Sequence, residues 1–573
     1  MARNIGVNFN GKHIMLPGAY SALDVSGLGA SGGASQKTIV FIGSAQSGEP
    51  NKLFMFRNTT DARKTFRSGD LVTAGELAWS PSGDGIGAGR IGFIRVEDAK
   101  QATLEKGGLK FTSYIYGDEA NKIQVKQEDG TIEGSKRLSL YFYPDNIREV
   151  YDNIGPIFKV KYSGEQAYAV MTITIDPDTK KATKLELKAG ADEATAVTIA
   201  AIALGAGEYP DTNKVVGAIN EYPGFDASII PVGNKNVATQ FYDAADKVNL
   251  KTGYTVTALS QDYVNQTRNS KLVISEFDIT KAAPTNFDFE AMAGGTNGKV
   301  PTSWIDALDL VRGSGAYILV PLTSDESIHH ECAKFVERMS NDERQEMRGF
   351  YGGALDENID TVKSRAVTLN GARSFVCSPG VRRAAYGGES VLLPSFFTAA
   401  MVAGRVSGQP IGEPVTLDYL NLIGLEKIYT STELEQLLEA GVTPIEYVQQ
   451  ANRRGYRIVQ CVSTHQDSDN PALRELSIGE IGDFLNMELR EVLETMFVGQ
   501  KGTINSPSII KNKVQSFLDQ KVREEIITAY DEVSVRVVLD GGVVYVEYAV
   551  MPVFGINYVL ISGRFYRAEI GGE

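Results

Sequence analysis

Two strings in this chain carry the letters of a chemical site. Gly87-Ala-Gly-Arg-Ile-Gly92 spells the dinucleotide fingerprint G-x-G-x-x-G. That fingerprint works where a strand-to-helix turn sets a pyrophosphate on a helix N-terminus, the glycines allowing the backbone to come close. Here the glycines follow a loop and lead into Arg90-Ile-Gly-Phe-Ile-Arg-Val96, which reads as a strand, so no helix dipole faces a ligand. Gly29-Ala-Ser-Gly-Gly33 spells G-x-S-x-G, the elbow of a serine nucleophile, which needs a strand before it and a helix after it. This copy follows a polar arm and precedes a strand, with only His329, His330 and His465 downstream as bases. His329-His-Glu-Cys332 collects metal-ligand types, but helical ligands sit at i and i+3 or i+4, and an exposed helical face accounts for the string. Asp176 and Asp178 flank a proline, a turn composition rather than an acid/base pair. The sequence thus offers no catalytic residue, no cofactor site and no metal ligand set, and the chain reads as a non-enzyme.

Bulk properties narrow the classes further. A chain of 573 residues exceeds one hydrophobic core and suggests about three or four domains. Its 43% hydrophobic and 22% charged content is that of a soluble globular protein. A net charge of −14 argues against nucleic acid as a direct partner, because phosphate binding needs a basic surface. Cys332, Cys377 and Cys461 are odd in number and scattered in apolar stretches, which fits reduced core residues of a protein made in a cytoplasm. The first residues form no apolar signal core, and no run approaches the roughly 18 apolar residues of a membrane span, so no membrane insertion is expected.

The elements that would position any site follow from periodicity. Residues 1–20 read as a polar arm with alternation around Ile14, Leu16 and Tyr20, followed by a Gly/Ser linker at 26–33. Thr38-Ile-Val-Phe-Ile-Gly43 reads as a buried strand, and Thr59 to Gly69 as a capped helix continuing through Asp70 to Trp79. From about 98 to 293 strand-like pieces dominate, which suggests one or two inserted β-rich modules. Beyond Gly294 helices and strands alternate: a helix near Thr302 to Val311, then a strand Ala316 to Leu322. A helix Asp325 to Met339, strands Met347 to Tyr351 and Ser374 to Cys377, and a helix Pro394 to Val406 follow. That alternation implies a largely parallel, covered sheet. A helix Thr432 to Ala440, a strand Tyr456 to Val462, and long amphipathic helices at Ser477 to Val498 and Pro507 to Ile526 come next.

The last forty residues are the most unusual. Val533-Ser-Val-Arg-Val-Val-Leu539 and Val543 to Val550 flank Asp540-Gly-Gly and read as a hairpin. Ile556-Asn-Tyr-Val-Leu-Ile561 is then apolar on both faces, an aggregation hazard unless something pairs with it. Either it closes its own sheet or it is donated to another copy by β-augmentation.

In order, these segments resemble the contractile tail sheath proteins of bacteriophages, most closely those of large phages of Gram-positive hosts. The resemblance rests on Phe41-Ile-Gly-Ser-Ala-Gln-Ser-Gly-Glu-Pro50 with Phe66-Arg-Ser-Gly-Asp-Leu71, and on Ile91-Gly-Phe-Ile-Arg-Val-Glu-Asp-Ala99. Gly294-Gly-Thr-Asn-Gly298, Trp304, Tyr317-Ile-Leu-Val-Pro-Leu322 and Gly479-Glu-Ile-Gly-Asp-Phe-Leu485 complete it, with the closing strands through Met551-Pro552. It implies an α+β multidomain fold: an N-terminal arm at 1–20, a discontinuous α/β core with a covered sheet at 21–97 and 294–470, inserted β-rich outer domains at 98–293, and a C-terminal helix-plus-strand assembly domain at 471–573 ending in an extended arm. It also implies a mechanical protein, assembled in the host cytoplasm into stacked hexameric rings of a virion tail sheath that are linked by donated β-strands and contract to drive the tail tube through the host envelope. The implied partners are other copies of the chain, a tail tube protein, and baseplate and tail terminator proteins. Joined to the pattern of apolar strands, the resemblance puts inter-subunit assembly at Ile14, Leu16, Tyr20, Val533, Val535, Val537, Val544, Val546, Tyr548, Ile556, Tyr558, Val559, Leu560 and Ile561. The competing readings are the sheath of a non-phage contractile injection system or tailocin, and a surface-binding tail decoration protein.

Overall fold

The computed structural model describes residues 7–9, 12–14, 37–205, 207–384, 389–450, 453–467, 470–503, 505–540, 542–557 and 559–562. The chain divides into two compact units, one of residues 1–45, 50–97 and 300–573, the other of residues 46–49 and 98–299.

The first unit is built on a nine-stranded sheet among the described residues. Its order is Tyr419–Leu420, Arg453–Ile458, Val442–Gln450, Ser374–Ser378, Arg348–Gly352, Ala316–Pro321, Thr38–Gly43, Ile91–Arg95 and Leu53–Phe56. The run from Val442–Gln450 to Ile91–Arg95 is parallel, and antiparallel strands close it at both ends. Strands this apolar must be covered on both faces. Ile39 and Phe41 point into one cluster, with Phe66 of the helix Thr59–Phe66, Leu77 of Asp70–Trp79 and Phe397 of Ser395–Gly408. Val40 and Ile42 point into the other, with Cys332 and Val336 of Glu326–Asn341, Val362 of Ile359–Leu369 and Leu437 of Ser431–Glu439. The last of these helices starts at a capping box in which Thr430 and Glu433 satisfy each other's backbone N–H groups.

Several expectations shift. The strand expected at Tyr456 to Val462 is Arg453–Ile458, because it pairs antiparallel with a strand Val442–Gln450 that the sequence hid. Pro444 argues against a strand there, yet it occupies the last rung with Ser378, where a missing N–H breaks nothing further. The helix near Thr302 to Val311 contracts to Ile305–Asp309. His329-His-Glu-Cys332 is not an exposed face: the i, i+3 spacing turns His329 and Cys332 together into the core, each 0% exposed. His329 Nε2 lies 2.8 Å from the Thr323 carbonyl, and burial depresses the imidazole to about 4, so it stays neutral. Asp176 Oδ1 accepts from the N–H groups of Asp178 and Thr179 at 2.9 and 2.8 Å, which is turn chemistry. Gly87 to Gly92 is a loop entering the strand Ile91–Arg95, and a Cβ on Gly87 would stand 2.4 Å from the Trp79 carbonyl oxygen. Gly29 to Gly33 lies outside the described residues.

The second unit holds two cores of antiparallel sheet. One gathers Leu109, Phe111, Val125, Leu140, Phe142 and Tyr263. The other, within residues 156–258, gathers Phe158, Met171, Leu185, Leu187, Ile202 and Val256. The β texture was legible, whereas the helices Thr212–Asn220 and Leu259–Gln266 were not. The first is capped by Asp211, whose carboxylate accepts from the Lys214 N–H.

In the first unit, the helices Asp70–Trp79 and Ser395–Gly408 cross with almost no gap: a Cβ on Gly404 would stand 2.4 Å from Ala78 Cα. Backbone cannot retreat as a side chain can, so Gly404→Val forces the helices apart and lowers stability by about 1–3 kcal/mol, read as a drop in Tm of the free chain.

Candidate assembly interface

The C-terminal region hangs from the helix Leu476–Phe497, which buries two different faces. Ile481, Phe484, Leu485 and Leu489 form a cluster with Ile510, Val514, Phe517 and Leu518 of the helix Ser506–Arg523, and with Ile527 and Val535 beyond it. Lys521 clips the two helices together, reaching Glu488 and Glu524 and lying 4.8 Å from the Phe484 ring centroid.

The other face carries Glu480, Asp483, Asn486 and Arg490, all buried, against the amino ends of the parallel strands. Lys37, one residue before Thr38–Gly43, donates to Glu480 Oε2 at 2.7 Å and to the carbonyls of Val406 and Pro410 at 3.1 and 3.2 Å. Arg348, which opens Arg348–Gly352, donates to Asp483 Oδ2 at 2.7 Å, and Arg373 donates to Oδ1 at 2.7 Å. The Tyr317 hydroxyl donates to Asp483 Oδ2 at 3.0 Å and accepts from Arg348 Nε at 2.9 Å. Arg490 pairs with Glu346 and donates to the Arg344 carbonyl at 3.0 Å. Gly479 makes room for this seam, since a Cβ there would stand 2.6 Å from Arg348 Nη2. Burial pushes the Asp483 carboxyl up, but Arg348 and Arg373 outweigh it and hold the group below its usual value. The seam was invisible in sequence because its partners are far apart in the chain. Its one local signal is Gly-Glu-x-Gly-Asp on the apolar side of an amphipathic helix.

Beyond this foundation lie two separate two-stranded sheets, Ile527–Tyr530 with Val550–Pro552 and Arg536–Asp540 with Val543–Glu547. The expected hairpin is therefore shorter than Val533 to Val550, because Val550–Pro552 pairs elsewhere. Val537 faces Val546 and Leu539 faces Val544 across it. Val535 is fully buried, and Val537, Val546 and Tyr548 pack on the same cluster, so these four residues serve the chain's own core. Burial raises the Tyr548 phenol to about 12, and its hydroxyl donates to Asn486 at 3.3 Å. Val533 sits in a turn at 78% exposure, while Val538 and Tyr545 face each other on the outer side, 56 and 41% exposed. Among the described residues neither edge of this hairpin is paired.

Among the described residues Ile556, Val559, Leu560 and Ile561 join no ladder and are 84, 74, 95 and 89% exposed. At the other end, Val7–Phe9 pairs with Lys12–Ile14 as an isolated hairpin with Ile14 opposite Val7. Leu16, Tyr20 and Tyr558 lie outside the described residues. Among the described residues no cluster of three or more His, Cys, Asp or Glu is arranged for a metal, and no helix is long and apolar enough to cross a membrane.

A family model for the phage tail sheath protein central domain matches residues 302–464, and one for the phage tail sheath C-terminal domain matches residues 468–566. The chain is 36% identical to the tail sheath protein of Staphylococcus phage Twort over 99% of both chains. It is 34% identical to that of Bacillus phage SP01 over 98% of this chain and 97% of the other. A protein of Enterococcus phage phiEF24C is 38% identical over 98% of this chain and 99% of its own. In fold it is similar to the sheath tail proteins of Listeria innocua, with TM-score 0.55 over 91% of this chain and 94% of that one, and of Desulfitobacterium hafniense, with TM-score 0.54 over 96% and 97%, each at 14% identity.

Within the seam, Asp483→Asn leaves the buried Arg348 and the half-buried Arg373 without their shared counter-charge and costs about 3–5 kcal/mol in denaturant unfolding of the free chain. Because the folded Asp483 is depressed, its contribution is present above the unfolded carboxyl value and fades only as pH falls below about 4. The difference between Asp483→Asn and the parent chain therefore persists from neutral to mildly acid pH and shrinks below that.

Proposed function

This chain belongs to the phage tail sheath family, and from that premise we propose that it polymerises around a tail tube through donated β-strands and contracts without catalysis. The observation that carries this reading is the coexistence in one chain of an apolar run without a ladder, Ile556 with Val559 to Ile561, and a two-stranded hairpin with open edges. A strand in search of a sheet and a sheet short of strands are complementary between copies. A heterologous contact that does not close on itself generates an open helical array, the geometry a tube requires.

A donated strand of about five residues makes ~4–6 backbone hydrogen bonds worth ~0.5–1.5 kcal/mol each, several kcal/mol per link before side chains are counted. Links of that strength persist while weaker lateral contacts exchange between an extended and a contracted array. Stacked hexameric rings that shorten on a baseplate signal then need no nucleotide, the extended array being a kinetic trap. In the virion the partners are the tube, the baseplate and the tail terminator. The inserted residues 98–293 carry no link of this mesh and face away from the tube.

Deleting residues 556–573 leaves a folded chain, with Tm within a few degrees of the parent, that forms no tubes alone or with tail tubes present; sedimentation and negative-stain microscopy read both. Normal tubes from the truncated chain would sink strand donation.

The insertion is tested by its ends. Asp98 N–H donates to the Lys299 carbonyl at 3.3 Å, so a short Gly/Ser linker spans the gap. A chain with 98–299 replaced by such a linker keeps a cooperative unfolding transition and still assembles. Collapse into an unfolded chain would count against an appendage.

A further inference from the structure

In the free chain the apolar run does not spring directly from the C-terminal sheets. After the strand Val550–Pro552, Val553 packs into the C-terminal cluster and the backbone then passes onto the core. It does so at Gly555, where a Cβ would stand 2.9 Å from Pro414 Cγ, closer than any side chain tolerates. Asn557 follows and bridges two groups of the core segment. Its Nδ2 donates to Glu475 Oε1 at 3.0 Å, and its Oδ1 accepts from Thr416 Oγ1 at 3.4 Å. Glu475 caps the helix Leu476–Phe497 and also accepts from Gln460 Nε2 at 3.4 Å. Burial raises the Glu475 carboxyl while the Asn557 amide works against that. Around this bridged side chain, Ile556 is 84% and Leu560 95% exposed, so packing does not account for the anchoring.

We propose that Asn557 is the positioning residue of the donated arm: with Gly555 it fastens the arm's root to the core, so that the strand beyond it departs from one point in one heading. The proposal rests on strand donation and specifies where the donated part begins, with Val559, Leu560 and Ile561 travelling to the neighbour while Gly555 and Asn557 stay at home. The physical gain is pre-organisation. A tether fastened next to the binding strand searches a smaller volume than one fastened at Pro552, and effective concentration falls roughly as the −3/2 power of tether length. Releasing the root therefore slows assembly roughly three- to ten-fold at fixed protein concentration while leaving the strand's own hydrogen bonds intact.

The test is a charge swap across the contact, using the full chain. Asn557→Asp sets a carboxylate against Glu475, and adding Glu475→Gln restores a donor and an acceptor with their roles exchanged. Asn557→Asp and Thr416→Val should slow tube growth, followed by light scattering, with monomer Tm unchanged. The double variant should recover to within about two-fold of the parent, a recovery that a general loss of stability would not give. Parental growth of Asn557→Asp, or no recovery in the double variant, overturns the positioning role. The chain lacking 556–573 runs beside them. If it assembles normally, donation itself fails; if it does not assemble while Asn557→Asp does, only the positioning role fails.

Discussion

The ionic seam beneath the helix Leu476–Phe497 is the constraint on which the rest of the first unit depends. Glu480, Asp483 and Arg490 meet Lys37, Arg348, Arg373 and Glu346 at the amino ends of the parallel strands, a place where an apolar joint would have sufficed for burial alone. Charges taken out of water contribute little net stability even when well paired, but a mispaired arrangement costs several kcal/mol. The seam therefore specifies more than it stabilises. The helix can dock in one register, and everything downstream, including the second helix, the two small sheets and the root of the arm, inherits that register. Gly479, whose missing Cβ admits the Arg348 guanidinium, belongs to the same requirement.

This foundation has a mechanical consequence for a tail sheath protein. Under the proposed contraction, a subunit that exchanges neighbours must not exchange its own internal contacts. The covered sheet and the seam meet that need, the first through two apolar faces and the second through buried ion pairs. Among the described residues the C-terminal end carries a hairpin with open edges and an exposed apolar run. In the proposed assembly, an exposed run that takes no part in the C-terminal cluster leaves folding independent of strand donation.

Family and fold class were legible in the chain because they rest on order and local pattern. Apolar runs such as Thr38–Gly43 and Ala316–Pro321 announce covered strands, and a Ser/Thr cap announces a helix from Thr432 that starts one residue earlier, at Ser431. Where the reading failed, a distant partner decided the outcome. The strand Val442–Gln450 was missed, and it is fixed by its neighbours Ser374–Ser378 and Arg453–Ile458. Val550 looked like the end of a hairpin and instead pairs with Tyr530. His329 looked like a surface residue because the string is polar, yet its i, i+3 spacing to the core residue Cys332 turns it inward as well.

The sequence alone determined the covered core strands, the long C-terminal helices and the apolar character of the run from Ile556 to Ile561. These are consequences of side-chain periodicity and composition, which act over a few residues. Only the tertiary structure decided which apolar residues of that end are spent inward, as Val535 is, and which remain outward, as Leu560 does. It alone joined Asn557 to Glu475 and Asp483 to Arg348, pairs 82 and 135 residues apart. The reason is physical: hydrogen bonds and ion pairs of this range carry no periodic trace along the chain, and they exist only once the sheet has brought their two halves within about 3 Å.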